Sequence, residues 1–125
     1  MHWLYSNLLR IALPLFFARL MWRGLTNRPY WANWRERLGF SEVVPSTSVR
    51  VWFHAVSVGE AQAAVPVIKA LFERAPHLDI LVTTTTPTGR ARIRSVLGQR
   101  VGLVYLPYDV PGAVARFLDR ADPQV

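Results

Sequence analysis

The chain has no cysteine among its 125 residues. A disulfide scaffold and a cysteine-ligated zinc site are therefore both excluded. Acids are scarce in the first forty positions, where Glu36 alone faces six arginines, at 10, 19, 23, 28, 35 and 37. That stretch carries five of the chain's seven net positive charges. A long apolar run is also missing from it: the stretch from Ile11 to Ala18 falls far short of the ~20 residues that a membrane span requires. The common phosphate-binding signatures are absent as well. No G-x-G-x-x-G follows the first expected strand, and no G-x-x-x-x-G-K loop occurs. Ala55-Val56-Ser57-Val58-Gly59 lacks the first glycine of a nucleophile elbow, which argues against a hydrolase.

Hydrophobic residues make up 51% of the chain, too many for a disordered segment and ordinary for a packed α/β core. The length suits one modest domain. Arginines and four of the five tryptophans (Trp3, Trp22, Trp31, Trp34) crowd the N-terminal forty residues. A nucleic-acid binder would spread its basic residues over a folded face. Arginine and tryptophan beside apolar residues point instead to a bilayer surface with anionic headgroups, and no nucleic-acid partner is expected.

Residues 1–28 are expected to form a membrane-anchoring helix. Arg10 and Arg19 point to opposite sides at about 100° per residue, so a single amphipathic face fails, and Pro14 between them is expected to kink the helix. The preferred reading is an interfacial or shallowly inserted helix. A single span with arginines 19, 23 and 28 at its cytoplasmic end, and a helix buried in protein, are the alternatives. No small-residue cleavage site follows, so a signal peptide fits poorly. Residues 29–48 read as a connector broken by Pro29, Asn33 and Pro45, with a short helical turn at Trp34–Leu38 closed by Gly39.

From position 49 the pattern becomes strand, turn, helix, repeated. Strands are expected at 49–56, 80–84 and 101–106, and helices at 60–74, 87–97 and 111–120. Pro66 should kink the first of these helices or set off a separate first turn. Thr86 should cap the second, with Pro87 at its first position, and Asp109 should cap the third. Three consecutive βα units predict an open, Rossmann-like parallel sheet over residues 49–125. A fourth strand would commonly pair with the first, so the first strand is expected to have an open apolar edge and the domain to be incomplete.

Ligands of such sheets bind at the carboxyl ends of the strands. Three turns lie there: 54–60, 83–89 and 107–109. Gly59 would let the chain turn and a ligand approach. Glu60 would stand in the first turn of a helix, where the dipole favours a carboxylate, and could take a proton from a hydroxyl nucleophile. The structural alternative is a plain dipole partner. His54 could touch substrate or merely end a strand. Threonines 83–86 and 88 offer hydroxyls to a sugar or phosphate but are equally ordinary strand and cap residues. Arg90, Arg92 and Arg94 read as a solvated helix face, with anionic lipid contact as the alternative.

Taken together, Glu36-Arg-Leu-Gly39, His54-Ala-Val-Ser-Val-Gly-Glu60, Thr83-Thr-Thr-Thr-Pro-Thr-Gly89 and Leu106-Pro-Tyr-Asp-Val-Pro-Gly112 resemble the N-terminal half of the 3-deoxy-D-manno-octulosonic acid (Kdo) transferase family. The resemblance implies a GT-B glycosyltransferase of two Rossmann-like domains, with this chain supplying most of the first, acceptor-side domain. It implies transfer of Kdo from CMP-Kdo to the lipid A precursor at the cytoplasmic side of the inner membrane. It places the proton acceptor at Glu60 and suggests substrate contacts at His54, Ser57, Gly59, Thr86, Thr88 and Gly89. Donor-binding residues would belong to a second domain, so neither a cofactor nor a metal site is expected here. A GT-B transferase with a different nucleotide sugar and lipid acceptor remains open, as does a membrane-tethered α/β binding module without chemistry.

Overall fold

The computed structural model describes residues 2–125. Its three strands are β1 (Arg50–Ala55), β2 (Asp79–Thr84) and β3 (Gly102–Tyr105). They alternate with the helices α2 (Val58–Arg74), α3 (Pro87–Leu97) and α4 (Pro111–Ala121), and α1 (His2–Thr26) precedes them all. All strand pairs are parallel in the order β1-β2-β3, with Ala55 opposite Thr84 and Thr84 opposite Tyr105. The three strands therefore end along one edge, as the βα rhythm predicts.

Two apolar layers sandwich the sheet. On one face, Ala61, Val65 and Ile68 of α2 and Ile93 and Leu97 of α3 pack on Ile80 and Val82. On the other, Phe117 and Ala121 of α4 pack on Leu81 and Val104, with Trp52 alongside. The alternation of Ile80, Leu81 and Val82 sends successive side chains of β2 to opposite layers, which is why a central strand must be apolar throughout.

The helix ends follow local chemistry. The side chain of Ser57 caps α2, which thus begins two residues before the expected start, and Thr86 caps α3 with Pro87 next. Pro66 and Pro14 lie within continuous helices, so no separate first turn precedes Pro66. Asp109 does not cap α4. Val110 occupies that position without a side-chain cap, and Asp109 instead accepts a hydrogen bond from the Tyr5 hydroxyl on α1.

The connector is packed rather than loose. A 3-10 turn at Trp34–Leu38 ends at Gly39, whose φ of 81° is left-handed and whose missing side chain would overlap the Ala113 carbonyl. Glu36, 8% exposed, accepts from both terminal nitrogens of Arg90, from the Tyr105 backbone N–H at 2.7 Å and from Asn33 Nδ2. Arg90 is therefore not part of a solvated face; it pins α3 to the connector. Arg94 likewise donates to the Gly98 carbonyl and Gln99.

The expected open edge of β1 is partly covered. Val125 donates to the Arg50 carbonyl and accepts from the Trp52 N–H at 2.7 Å, the bonding pattern of a parallel neighbour. The Gln124 side chain accepts from the Arg50 N–H as well. The C-terminal residues thus lie where a fourth strand beside β1 belongs.

The helix α1 rests on the edge where the strands end. Phe16 stacks on Tyr108 with centroids 5.5 Å apart, Phe17 meets Tyr108 edge-on, and Leu20 is buried. Its 24-residue stretch Trp3–Thr26 is long and apolar enough to cross a membrane, yet little of it is buried in the protein.

Candidate functional site

The turn after β1 places Glu60 at the carboxyl edge of the sheet. Ser57, Val58, Gly59 and Glu60 form the first turn of α2, and the Ser57 hydroxyl accepts the Glu60 N–H. One carboxylate oxygen of Glu60, Oε2, reaches back to accept the Val56 N–H at 2.6 Å. This is close to a capping box, in which an acid at the third helical position satisfies a donor before the helix. The tie orients the side chain while Glu60 remains exposed at the mouth of the turn. A carboxylate held by one oxygen can still accept a proton on the other.

The other expected contact residues divide by their surroundings. Exposed His54 shares the Thr83 hydroxyl with the indole of Trp52, each at 2.9 Å, so the sheet fixes its ring near the carboxyl end of β1. Ser57 is occupied as a cap. Gly59 has no left-handed backbone and a side chain there would meet little, so its glycine keeps the mouth open rather than making the turn. Gly89 is buried, and a Cβ there would lie 3.0 Å from Thr86 Oγ1 and 3.6 Å from the Ser57 carbonyl oxygen. It allows α3 to approach the Ser57 turn. Thr86 is the α3 cap, while Thr88 is exposed with its hydroxyl 3.4 Å from that of Thr86. Thr83 and Thr84 are fully buried and cannot offer hydroxyls to a ligand.

Sequence reasoning passed over Thr85 as an individual and Arg37 as a site residue. Thr85 Oγ1 donates to the Val56 carbonyl at 2.7 Å, tying the β2 turn to the same residue that holds Glu60. Buried Arg37 donates to the Thr85 carbonyl and lies over the Tyr105 ring at 4.3 Å. An arginine in a connector gives no sequence signal of such a role, because the contact joins residues 48 positions apart.

A cavity of about 680 Å³ beside the connector is not a second catalytic candidate. The charged groups in its wall include Arg50 with Asp79 and Arg90 with Glu36, two ion pairs that already satisfy one another. Among the described residues no group of three or more His, Asp or Glu side chains could hold a metal ion.

The family model described as 3-deoxy-D-manno-octulosonic-acid transferase (kdotransferase) matches residues 32–125. The chain belongs to this family. The matched range holds both the Glu60 turn and the Arg37 connector. Over 124 residues the chain is 35% identical to the 3-deoxy-D-manno-octulosonic acid transferase of Haemophilus influenzae, covering 97% of this chain and 29% of that protein. It is 48% identical to the Bordetella pertussis enzyme of that name over 79 residues, 59% of this chain and 18% of the relative. The Arabidopsis thaliana protein named "Probable 3-deoxy-D-manno-octulosonic acid transferase, mitochondrial" is 38% identical over 120 residues, 96% of this chain and 27% of its own length. The chain thus spans under a third of each of these relatives. No solved structure matches it.

Proposed function

We propose that the chain is the acceptor-side, N-terminal part of a glycosyltransferase of GT-B type that moves Kdo from CMP-Kdo to a hydroxyl of the lipid A precursor, with Glu60 as the base. The observation that carries this reading is Glu60 itself. It is an exposed carboxylate at the carboxyl edge of a parallel sheet, oriented through one oxygen by the Val56 N–H, in a chain of the Kdo transferase family. As the acceptor hydroxyl attacks the anomeric carbon, Glu60 takes its proton, and the bond from that carbon to the CMP phosphate breaks. CMP leaves with the bonding electron pair. His54, fixed by Thr83 near the carboxyl end of β1, and Thr88 on a neighbouring turn are the proposed contacts to the acceptor. The donor would be held by a second domain, consistent with the missing phosphate-binding signatures.

The acceptor is a lipid, and α1 is proposed to lie in the plane of the cytoplasmic leaflet of the inner membrane. Leu4, Leu8, Ile11, Leu15, Trp22 and Leu25 are each at least 65% exposed. They fall within an arc of about 100° on the helix. Arg10 flanks that arc on one side and Arg19 on the other. The two arginines that defeat a single amphipathic face in the sequence therefore border a lipid-facing stripe. The opposite face touches the domain at Tyr5, Phe16, Phe17 and Leu20, points spread over about 22 Å of helix axis at 1.5 Å per residue. A helix that meets protein at both ends of that length lacks the all-round lipid contact of a span, which favours the in-plane arrangement. Anionic headgroups would pair with the flanking arginines.

The test is Glu60→Gln in the full-length transferase. The amide oxygen can still accept the Val56 N–H, so the turn and the melting temperature should stay the same, while transfer should fall by at least about a hundredfold, within the usual contribution of a general base. Wild-type kcat in a correctly folded Glu60→Gln enzyme would leave Glu60 as a helix cap and nothing more.

A further inference from the structure

Between α1 and the carboxyl edge of the sheet lies a cavity of about 320 Å³, at the small end of ligand pockets and roomy for a phosphate group with part of its attached body. Arg19, Arg23, Arg37, Thr85, Thr86 and Tyr108 make its polar wall, and Phe16 and Leu20 its apolar side. Three guanidinium-bearing residues thus border one small space, and no carboxylate lines it. Arg37 is 6% exposed and its Nε, buried, has no hydrogen-bond partner. An arginine that leaves a buried donor unmatched is an energetic cost that an anion at the cavity would relieve. Thr86 is the N-cap of α3, an eleven-residue helix, so the positive end of a helix dipole adds to the same field.

We infer that this cavity is a phosphomonoester-binding site, filled from the membrane side by a lipid headgroup. A phosphomonoester carries roughly −1.5 to −2 charges at neutral pH and three acceptor oxygens, which suit guanidinium forks better than the single charge of a phosphodiester. Four of the lining residues, Phe16, Arg19, Leu20 and Arg23, belong to α1, the helix that bears the lipid-facing stripe, which sets the headgroup as the source. The site also abuts the chemistry. Thr85, in the cavity wall, holds the Val56 carbonyl, and Val56 holds Glu60. A lipid phosphate bound here would be anchored one turn of chain away from the base. The inference stands apart from the proposed reaction, because its test reads lipid binding and not transfer.

The full chain is partitioned onto phosphatidylcholine vesicles containing either phosphatidic acid, a phosphomonoester, or phosphatidylglycerol, a phosphodiester, with the two sets matched in surface charge. The expected result is about tenfold tighter binding to phosphatidic acid, the effect of one added charge-assisted hydrogen bond. Arg19→Gln, at an exposed position where folding is not at stake, should bring the ratio close to one, and Arg37→Gln should do the same. Arg10→Gln, on the other border of the stripe, should weaken binding to both vesicles and leave the ratio unchanged. Inorganic phosphate identifies the source. If it displaces the chain from phosphatidic acid alone, the phosphate group suffices for binding; if the preference persists in its presence, the lipid body contributes as well. Both outcomes support the site. Equal binding of the wild type to the two vesicles, or a preference that survives Arg19→Gln, would overturn it.

Discussion

Replacing Glu36 with glutamine isolates the contact that binds the connector to the sheet. The carboxylate receives two donors from Arg90, at 2.7 and 3.3 Å, one from the Tyr105 backbone at 2.7 Å and one from Asn33 at 3.0 Å. Its side chain is 10% exposed and that of Arg90 21%, so water replaces little of what is lost. Glutamine keeps one acceptor oxygen but turns an amide N–H₂ toward groups that are all donors. The substitution therefore removes a charge-assisted bond, worth about 1.5–3 kcal/mol, and leaves a donor facing a donor. Breaking one partner of a buried ion pair costs about 3–5 kcal/mol, and the partial exposure of Arg90 places the expected loss near the lower end, about 3 kcal/mol. Three measurements follow. With a urea slope of about 1.5 kcal/mol per molar, the unfolding midpoint should drop by about 2 M. The Tyr105 amide should exchange with solvent about a hundredfold faster if it opens by global unfolding. A double-mutant cycle with Arg90→Met should return a coupling of about 1.5–3 kcal/mol. A loss below about 0.5 kcal/mol with unchanged exchange at Tyr105 would refute the reasoning, and the connector would then be held by its apolar contacts.

Two further outcomes are expected. Gly39→Ala combines a left-handed backbone with a Cβ that overlaps the Ala113 carbonyl, so it should destabilise by more than about 2 kcal/mol in urea unfolding; a loss of about 1 kcal/mol or less, what the backbone alone costs, would show that the Ala113 contact does not matter. Burial raises the Tyr108 pKa above its ordinary 10.0 while Arg37 and Arg19 pull it back, so the folded state favours the neutral phenol; that stabilisation is complete below pH 10 and is lost as pH rises through the folded pKa. Phenolate absorbance should show Tyr108 titrating later still in Arg37→Gln, with Tyr108→Phe supplying the baseline, and an unchanged or earlier titration would contradict the assigned field.

The strand and helix sequence of the domain was legible because each element is specified locally. Thr86-Pro87 and Gly98 bound α3 where the cap and stop signals lie, and the apolar run of β2 declares a strand buried on both faces. Glu60 was legible too, since a strand-to-helix turn ending in glycine and glutamate fixes its place at the sheet's carboxyl edge. The sequence determined less about Asp109 and Arg90, whose partners are distant in the chain: Tyr5 lies 104 positions from Asp109, and Glu36 lies 54 from Arg90. Local rules assign such side chains to caps and solvated faces, and long-range pairing overrides them. The helix α1 shows the same limit. Its weak amphipathicity in sequence comes from being apolar on two faces, and only the tertiary structure separates the face that meets Tyr108 from the stripe left exposed. The arginine cavity arises at that same junction. Arg19 and Arg23 share a helix, Arg37 comes from the connector and Thr85 from the sheet, and folding alone brings them around one space.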